Sequence, residues 1–169
     1  MPRGGSTPNR PPSPFPADGP PLGFLLASVG FGTGYRFREV IAPTGMQPRE
    51  FAVLRQVAIE EGISQQACGH ALKVAPSQMV ALVDSLEDKG LIQRRPDPAD
   101  RRVRALHLTS TGRKALATGF QAAMRNEEAL FGSMTAAERA ELRRLLQTVA
   151  DKLGLEPGQH PGMGQDPPV

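Results

Sequence analysis

The sequence predicts a mostly α fold with a small β wing: about six helices plus a β-hairpin. Three observations predict it. Apolar residues recur at helical spacing over most of residues 22–154. Two strand-like runs flank the turn Pro96-Asp97-Pro98-Ala99-Asp100. The 17 prolines stay out of helix interiors: eight lie in residues 1–21, four in 155–169, and the remaining five, Pro43, Pro48, Pro76, Pro96 and Pro98, sit at element boundaries.

The elements follow in order. Leu22, Leu26, Val29, Phe37 and Val40 or Ile41 predict a first helix over about 22–42, against the cost of Gly30, Gly32 and Gly34, roughly 1 kcal/mol each relative to Ala. A second helix starts at Pro48, places Phe51, Leu54 and Ala58 on one face, and stops at Gly62. A third starts at the N-cap Ser64 and runs to about Leu72. The fourth starts near Pro76 and ends at Gly90, with Met79, Leu82, Val83 and Leu86 as its buried stripe. Strands are expected over about 91–95 and 102–108. Thr109 caps a fifth helix reaching Gly132. Thr135-x-x-Glu138 is a capping box for a sixth, whose stripe is Leu142, Leu145, Leu146, Val149 and Leu153 and whose end is Gly154. Two short helices and a tight turn followed by a hairpin make a winged helix-turn-helix, about 48–109. Residues 1–21 and 155–169 are rich in Pro and Gly without apolar periodicity and read as flexible tails around one domain, 22–154.

Composition excludes several classes. With 39% apolar and 22% charged residues the 169-residue chain fits a soluble globular domain. One Cys forbids an internal disulfide and suits a reducing, cytoplasmic compartment. The Pro-rich N-terminus lacks the apolar run of a signal peptide, and no stretch approaches the ~20 apolar residues of a membrane span, so no membrane partner is expected.

The chemistry-bearing residues gather on the fourth helix and the hairpin. Opposite its buried stripe the helix presents Ser77, Ala81 and Asp84, flanked by Gln78, Val80 and Ser85, just after Pro76. Small side chains let a backbone approach a major groove, Gln pairs with adenine, Ser bonds several base edges, and Ala or Val touches a thymine methyl. The alternative for this helix alone is a solvated face. In the hairpin, Arg94, Arg95, Arg101, Arg102 and Arg104 stand against only Asp97 and Asp100, five positive charges minus two, or +3, the net charge of the whole chain. An arginine-rich wing beside a helix-turn-helix is what phosphate or minor-groove contact requires.

These residues resemble the MarR family. Asp100-Arg101-Arg102-Val103-Arg104-Ala105-Leu106-His107-Leu108-Thr109-Ser110-Thr111-Gly112 is similar to the wing signature D-x-R-x-x-x-L-x-L-T-x-x-G. Residues 79–92 resemble the recognition helix and the lead-in to the wing, and Ser64-Gln65-Gln66 the start of the first helix-turn-helix element. The resemblance covers about 22–154. It implies a homodimeric regulator, usually a repressor, on double-stranded DNA with a palindromic operator, nucleoid-associated, using helices over 22–42 and 110–154 to dimerise. It further implies release by a small aromatic or phenolic effector or by thiol oxidation. It assigns DNA contact to Ser64, Gln65, Pro76, Ser77, Gln78, Val80, Ala81, Arg95, Arg101, Arg102 and Arg104, with Arg102 at the wing tip and Asp100 orienting arginines. The first helix departs from the family at Gly30-Phe31-Gly32-Thr33-Gly34, where bulky or charged residues are usual.

Other constellations carry less. Gly30, Gly32 and Gly34 lack the preceding strand and following acid of a nucleotide loop, and fit close helix packing at a dimer interface, or a bend, better. Cys68 with Ile63 matches a hydrophobic staple and reads as a buried thiol rather than a redox switch. His70, His107 and His160 are too scattered for a metal site, no nucleophile–base pair supports an enzyme, and no cofactor is implied. Phe31, Tyr35 and Phe51 line either a small-molecule crevice or ordinary core. A winged-helix module that binds protein instead of DNA would need an apolar patch larger than Val80 and Ala81 offer.

Overall fold

The computed structural model describes residues 15, 19–96 and 104–155. The chain divides into two compact units, Met1–Arg36 and Phe37–Val169. Helix α1, Leu22–Ile41, crosses the boundary and runs unbroken through Gly30, Gly32 and Gly34. Its expected stripe splits. Phe37, Val40 and Ile41 join the core of the second unit, whereas Leu22, Leu26 and Val29 are exposed. In the first unit the rings of Phe15 and Phe24 lie 5.0 Å apart. The expected tails fall almost wholly outside the described residues.

A 3₁₀ turn, Ala42–Thr44, leads to α2, Pro48–Ile59. The Gln47 N–H donates to Glu50 Oε2 at 2.8 Å, half of a capping box. Phe51 and Leu54 are buried as expected, but Ala58 is exposed and Val57 takes the buried place. The buried face runs through Glu50, Val53, Leu54 and Val57, at i, i+3, i+4 and i+7, one residue out of phase with Ala58, and the helix ends at Ile59, short of Gly62. Ser64 Oγ accepts from the Ala67 N–H at 3.1 Å and starts α3, Gln65–Leu72. Lys73, in the left-handed region at φ 52°, ends it. Helix α4, Pro76–Asp88, buries Met79, Val83 and Leu86, and Gly90 turns the chain at φ 66°.

Strands β1, Ile92–Pro96, and β2, Arg104–Leu108, pair antiparallel from Ile92↔Leu108 to Pro96↔Arg104. The segment before α3 joins them: the Gly62 N–H donates to the Leu106 carbonyl and the Leu106 N–H to the Ile63 carbonyl, both at 2.9 Å. The base of the hairpin is thereby fastened to the helix-turn-helix. Helices α5, Ser110–Phe131, and α6, Ala136–Lys152, follow, with Thr109 and Thr135 as N-caps.

The core of the second unit is built by α2, α3, α4 and the hairpin, with Leu54, Met79, Leu86, Ile92 and Leu106 wholly buried. The α6 stripe does not join it. Leu145, Leu146, Val149 and Leu153 are exposed, and no residue of α6 is buried. A periodic apolar face gives the helix, and burial needs an opposing surface that the described residues do not supply.

Candidate nucleic-acid interface

The recognition surface begins at the N-terminus of α4. Pro76 occupies the first turn, where a missing N–H costs nothing, and no acid stands in that turn. Burying Met79, Val83 and Leu86 turns Ser77, Gln78, Val80, Ala81 and Asp84 outward, and all five are exposed, as is Pro76. Orphan N–H groups and the positive end of the helix dipole therefore face solvent beside short side chains. Ser85, expected to flank this face, instead donates from Oγ to Glu50 Oε1 at 2.6 Å.

Around this edge stand α3 and the wing. Ser64 is half-buried and occupied as a cap. Gln65 is half-buried and its Oε1 accepts from Arg94. On the hairpin Arg95 and Arg104 are exposed, whereas Asp100, Arg101 and Arg102 lie outside the described residues.

Arg94 differs from its neighbours. Its side chain is 20% exposed and pairs with Asp84 and Glu87 of α4. Its Nη1 lies 2.5 Å from Glu87 Oε2. Its backbone N–H donates to Glu87 Oε1 at 2.9 Å. Burial pulls the Arg94 pKa down, and the hydrogen bonds and charges of Asp84 and Glu87 outweigh it, holding it above the ordinary arginine value. The Arg94 N–H, followed by its guanidinium, holds the Glu87 carboxyl below the usual carboxylate range despite some burial. Sequence reasoning counted Arg94 with the wing charges and missed this network. The available signal was Asp84 and Glu87 three residues apart on one helix, with an arginine soon after the Gly90 turn.

A second network also sits at the C-terminal end of α4, where it meets the start of α2. Glu50 is 4% exposed, and Lys89 Nζ reaches both its oxygens at 2.7 Å and the Gly45 carbonyl at 3.0 Å. Burial raises the Glu50 pKa, but Lys89, Ser85 and the Gln47 N–H together lower it below the usual value.

The remaining candidates separate. Cys68 is wholly buried, and burial, aided by the Glu60 charge, pushes its thiol up to about 11, so the thiolate is suppressed. His107 Nδ1 lies 3.3 Å from Glu61 Oε1, His70 is exposed, and His160 is outside the described residues. Phe51 is buried, its ring edge-on to Phe37 at 5.9 Å and to Phe120 at 5.3 Å. Phe31 and Tyr35 are exposed on α1. A Cβ on Gly30, Gly32 or Gly34 would meet nothing within 4 Å among the described residues.

Residues 44–103 match the model of the MarR family. The chain is 38% identical over 127 residues, 75% of its length and 76% of the relative's, to a putative transcriptional regulatory protein for the hcr operon of Thauera aromatica. The chain belongs to the MarR family. Solved structures of the family share its winged helix-turn-helix. CouR bound to a 23-mer DNA duplex aligns with TM-score 0.68 at 32% identity, over 76% of this chain and 92% of that one. CouR of Rhodococcus jostii RHA1 has also been solved with p-coumaroyl-CoA, at 31% identity and TM-score 0.64, over 76% and 91%. A MarR mutant from E. coli complexed with operator DNA aligns with TM-score 0.66 at 26% identity, over 76% and 92%. This MarR-family chain is a transcriptional regulator with six helices and a two-stranded wing among its described residues, none of the helices long and apolar enough to cross a membrane.

Proposed function

We propose that the protein represses transcription by binding a palindromic operator as a homodimer, each protomer entering a major groove with the N-terminal end of α4. The observation that carries this is the exposed edge Pro76-Ser77-Gln78 with Val80 and Ala81, free of acid in its first turn and beside a wing bearing Arg95 and Arg104. Gln78 and Ser77 read base edges, and Val80 and Ala81 touch thymine methyls. Ser64 and Gln65 approach the backbone from α3, and Arg95, Arg101, Arg102 and Arg104 engage phosphates and the neighbouring minor groove. The protein acts by binding rather than catalysis, in the cytoplasm at the nucleoid.

An aromatic acid or its CoA thioester releases the repressor in this reading. CouR, solved with p-coumaroyl-CoA, supports that class, and Phe31, Tyr35 and Phe51 are the side chains whose replacement tests it.

Footprinting on the region upstream of the protein's own gene tests the assignment. A protected, two-fold symmetric site is expected, with Gln78→Ala changing which base substitutions within it are tolerated. Adding p-coumaroyl-CoA is expected to abolish protection. No protected site, or a Gln78→Ala footprint with unchanged base preference, overturns the assignment of α4.

A further inference from the structure

We infer that Arg94 is a positioning residue: it makes no DNA contact and instead sets the angle of the wing against the recognition helix. The inference rests on the reading that α4 and the wing bind DNA together.

Three elements converge on this one guanidinium. Its Nε and Nη2 donate to Gln65 Oε1 at the start of α3, at 3.3 and 3.2 Å. Its Nη1 donates to Glu87 and its Nη2 also to Asp84, both on α4. Arg94 itself belongs to β1. These four bonds occupy most of the five N–H donors of an arginine. A two-stranded hairpin has little stability or orientation of its own, so its direction is set where it is fastened. One fastening is the backbone bonding of Gly62 and Ile63 to Leu106 on β2. Arg94 is the corresponding fastening on β1.

Charge decides against phosphate contact. One guanidinium and two carboxylates sum to −1, so a phosphate approaching Arg94 meets Asp84 and Glu87 as well. Arg95 and Arg104 are exposed, and among the described residues neither pairs with Asp84 or Glu87. Asp84 also lies on the face that presents Ser77 and Ala81, and pairing with Arg94 offsets the repulsion an unpaired carboxylate would exert on DNA.

The test measures affinity for the footprinted upstream duplex, and its salt dependence, in four single variants and one double variant. Arg94→Lys keeps the charge but loses the planar fork. Glu87→Gln removes a negative charge from the DNA-binding region. A clamp predicts that both weaken binding, by roughly five- to tenfold, although simple charge counting predicts no change for the first and tighter binding for the second. Arg94→Lys should also flatten the salt slope as Arg102→Ala does, because both withdraw the wing from phosphate. In the Arg102→Ala background Arg94→Lys should add little. Arg49→Lys, the same exchange at an exposed arginine of α2 that has no part in the assigned DNA contacts, should bind as the wild type. Thermal melting by circular dichroism identifies any variant that fails to fold, and Glu87→Gln, which can still accept from the Arg94 N–H, then carries the decision. Wild-type affinity in Arg94→Lys, tighter binding by Glu87→Gln, or independent losses in the double variant overturns the clamp. If Arg102→Ala itself binds normally, the wing's role in DNA contact fails and the clamp with it.

Discussion

Glu50 shows how a single buried charge is made tolerable. Taken from water alone, a carboxylate would cost several kcal/mol. Lys89, Ser85 and the Gln47 N–H supply the bonds that offset this, joining the start of α2 to the end of α4. Removing the partner leaves the charge buried and uncompensated. Lys89→Met is therefore expected to lower unfolding stability by about 2 kcal/mol, a figure reduced from the fully buried case because Lys89 is partly exposed. Urea denaturation checks it, and an unchanged midpoint would contradict the network's role. Since the folded Glu50 pKa lies below its unfolded value, the stabilisation is present above the unfolded carboxylate pKa and is lost as pH falls through the folded one. Stability of the wild type should thus decline on acidification below the ordinary Glu range, and Glu50→Gln should remove that part of the decline. The sequence held only a faint signal of the Arg94 network, the spacing of Asp84 and Glu87, and none of the Glu50 network. Glu50 and Lys89 are far apart in the chain, and Arg94 looks like any other wing arginine until the angle between β1 and α4 is known.

At the scale of elements the sequence was far more informative, because caps and stripes are local. Ser64, Thr109 and Thr135 each accept from the backbone N–H three residues on, as their positions predict. The T-x-x-G of the wing signature has a physical reason beyond capping. Thr109 Oγ1 donates to the Gly90 carbonyl at 2.7 Å while accepting from the Gly112 N–H at 2.9 Å. A Cβ on Gly112 would lie 1.9 Å from the Leu91 carbonyl oxygen. Only a residue without one lets α5 start against the turn that leads into β1. Gly112→Ala should destabilise the fold by about 1–3 kcal/mol, the range for overpacking, despite the better helix propensity of Ala. Gly30→Ala, in open space on α1, should instead leave thermal stability unchanged or raise it. A Gly112→Ala melting temperature equal to wild type would refute the close approach. Where element reasoning failed, phase was the cause: the buried face of α2 runs through Glu50, Val53, Leu54 and Val57, so Val57 replaces Ala58 in the core.

For the whole molecule, the pattern of apolar exposure is the main unexplained quantity of the lone chain. Leu145, Leu146, Val149 and Leu153 on α6, and Phe120 and Met124 on α5, face solvent. An isolated soluble protein rarely leaves so many large apolar side chains uncovered. A second copy covering these faces accounts for them, and light scattering at micromolar concentration should return a dimer that Leu146→Asp weakens. A monomeric wild type would contradict it. The periodicity of α6 gives a face without saying which chain it meets, and only the family resemblance assigned that face to dimerisation. The central claim is that the α4 edge and the wing engage a polyanion together, and a salt titration of operator affinity tests it most directly. Log affinity is expected to fall steeply and linearly with log salt, and Arg102→Ala should reduce that slope by about one while weakening binding to all sequences alike. A salt-independent affinity, or a slope that Arg102→Ala leaves untouched, would contradict it.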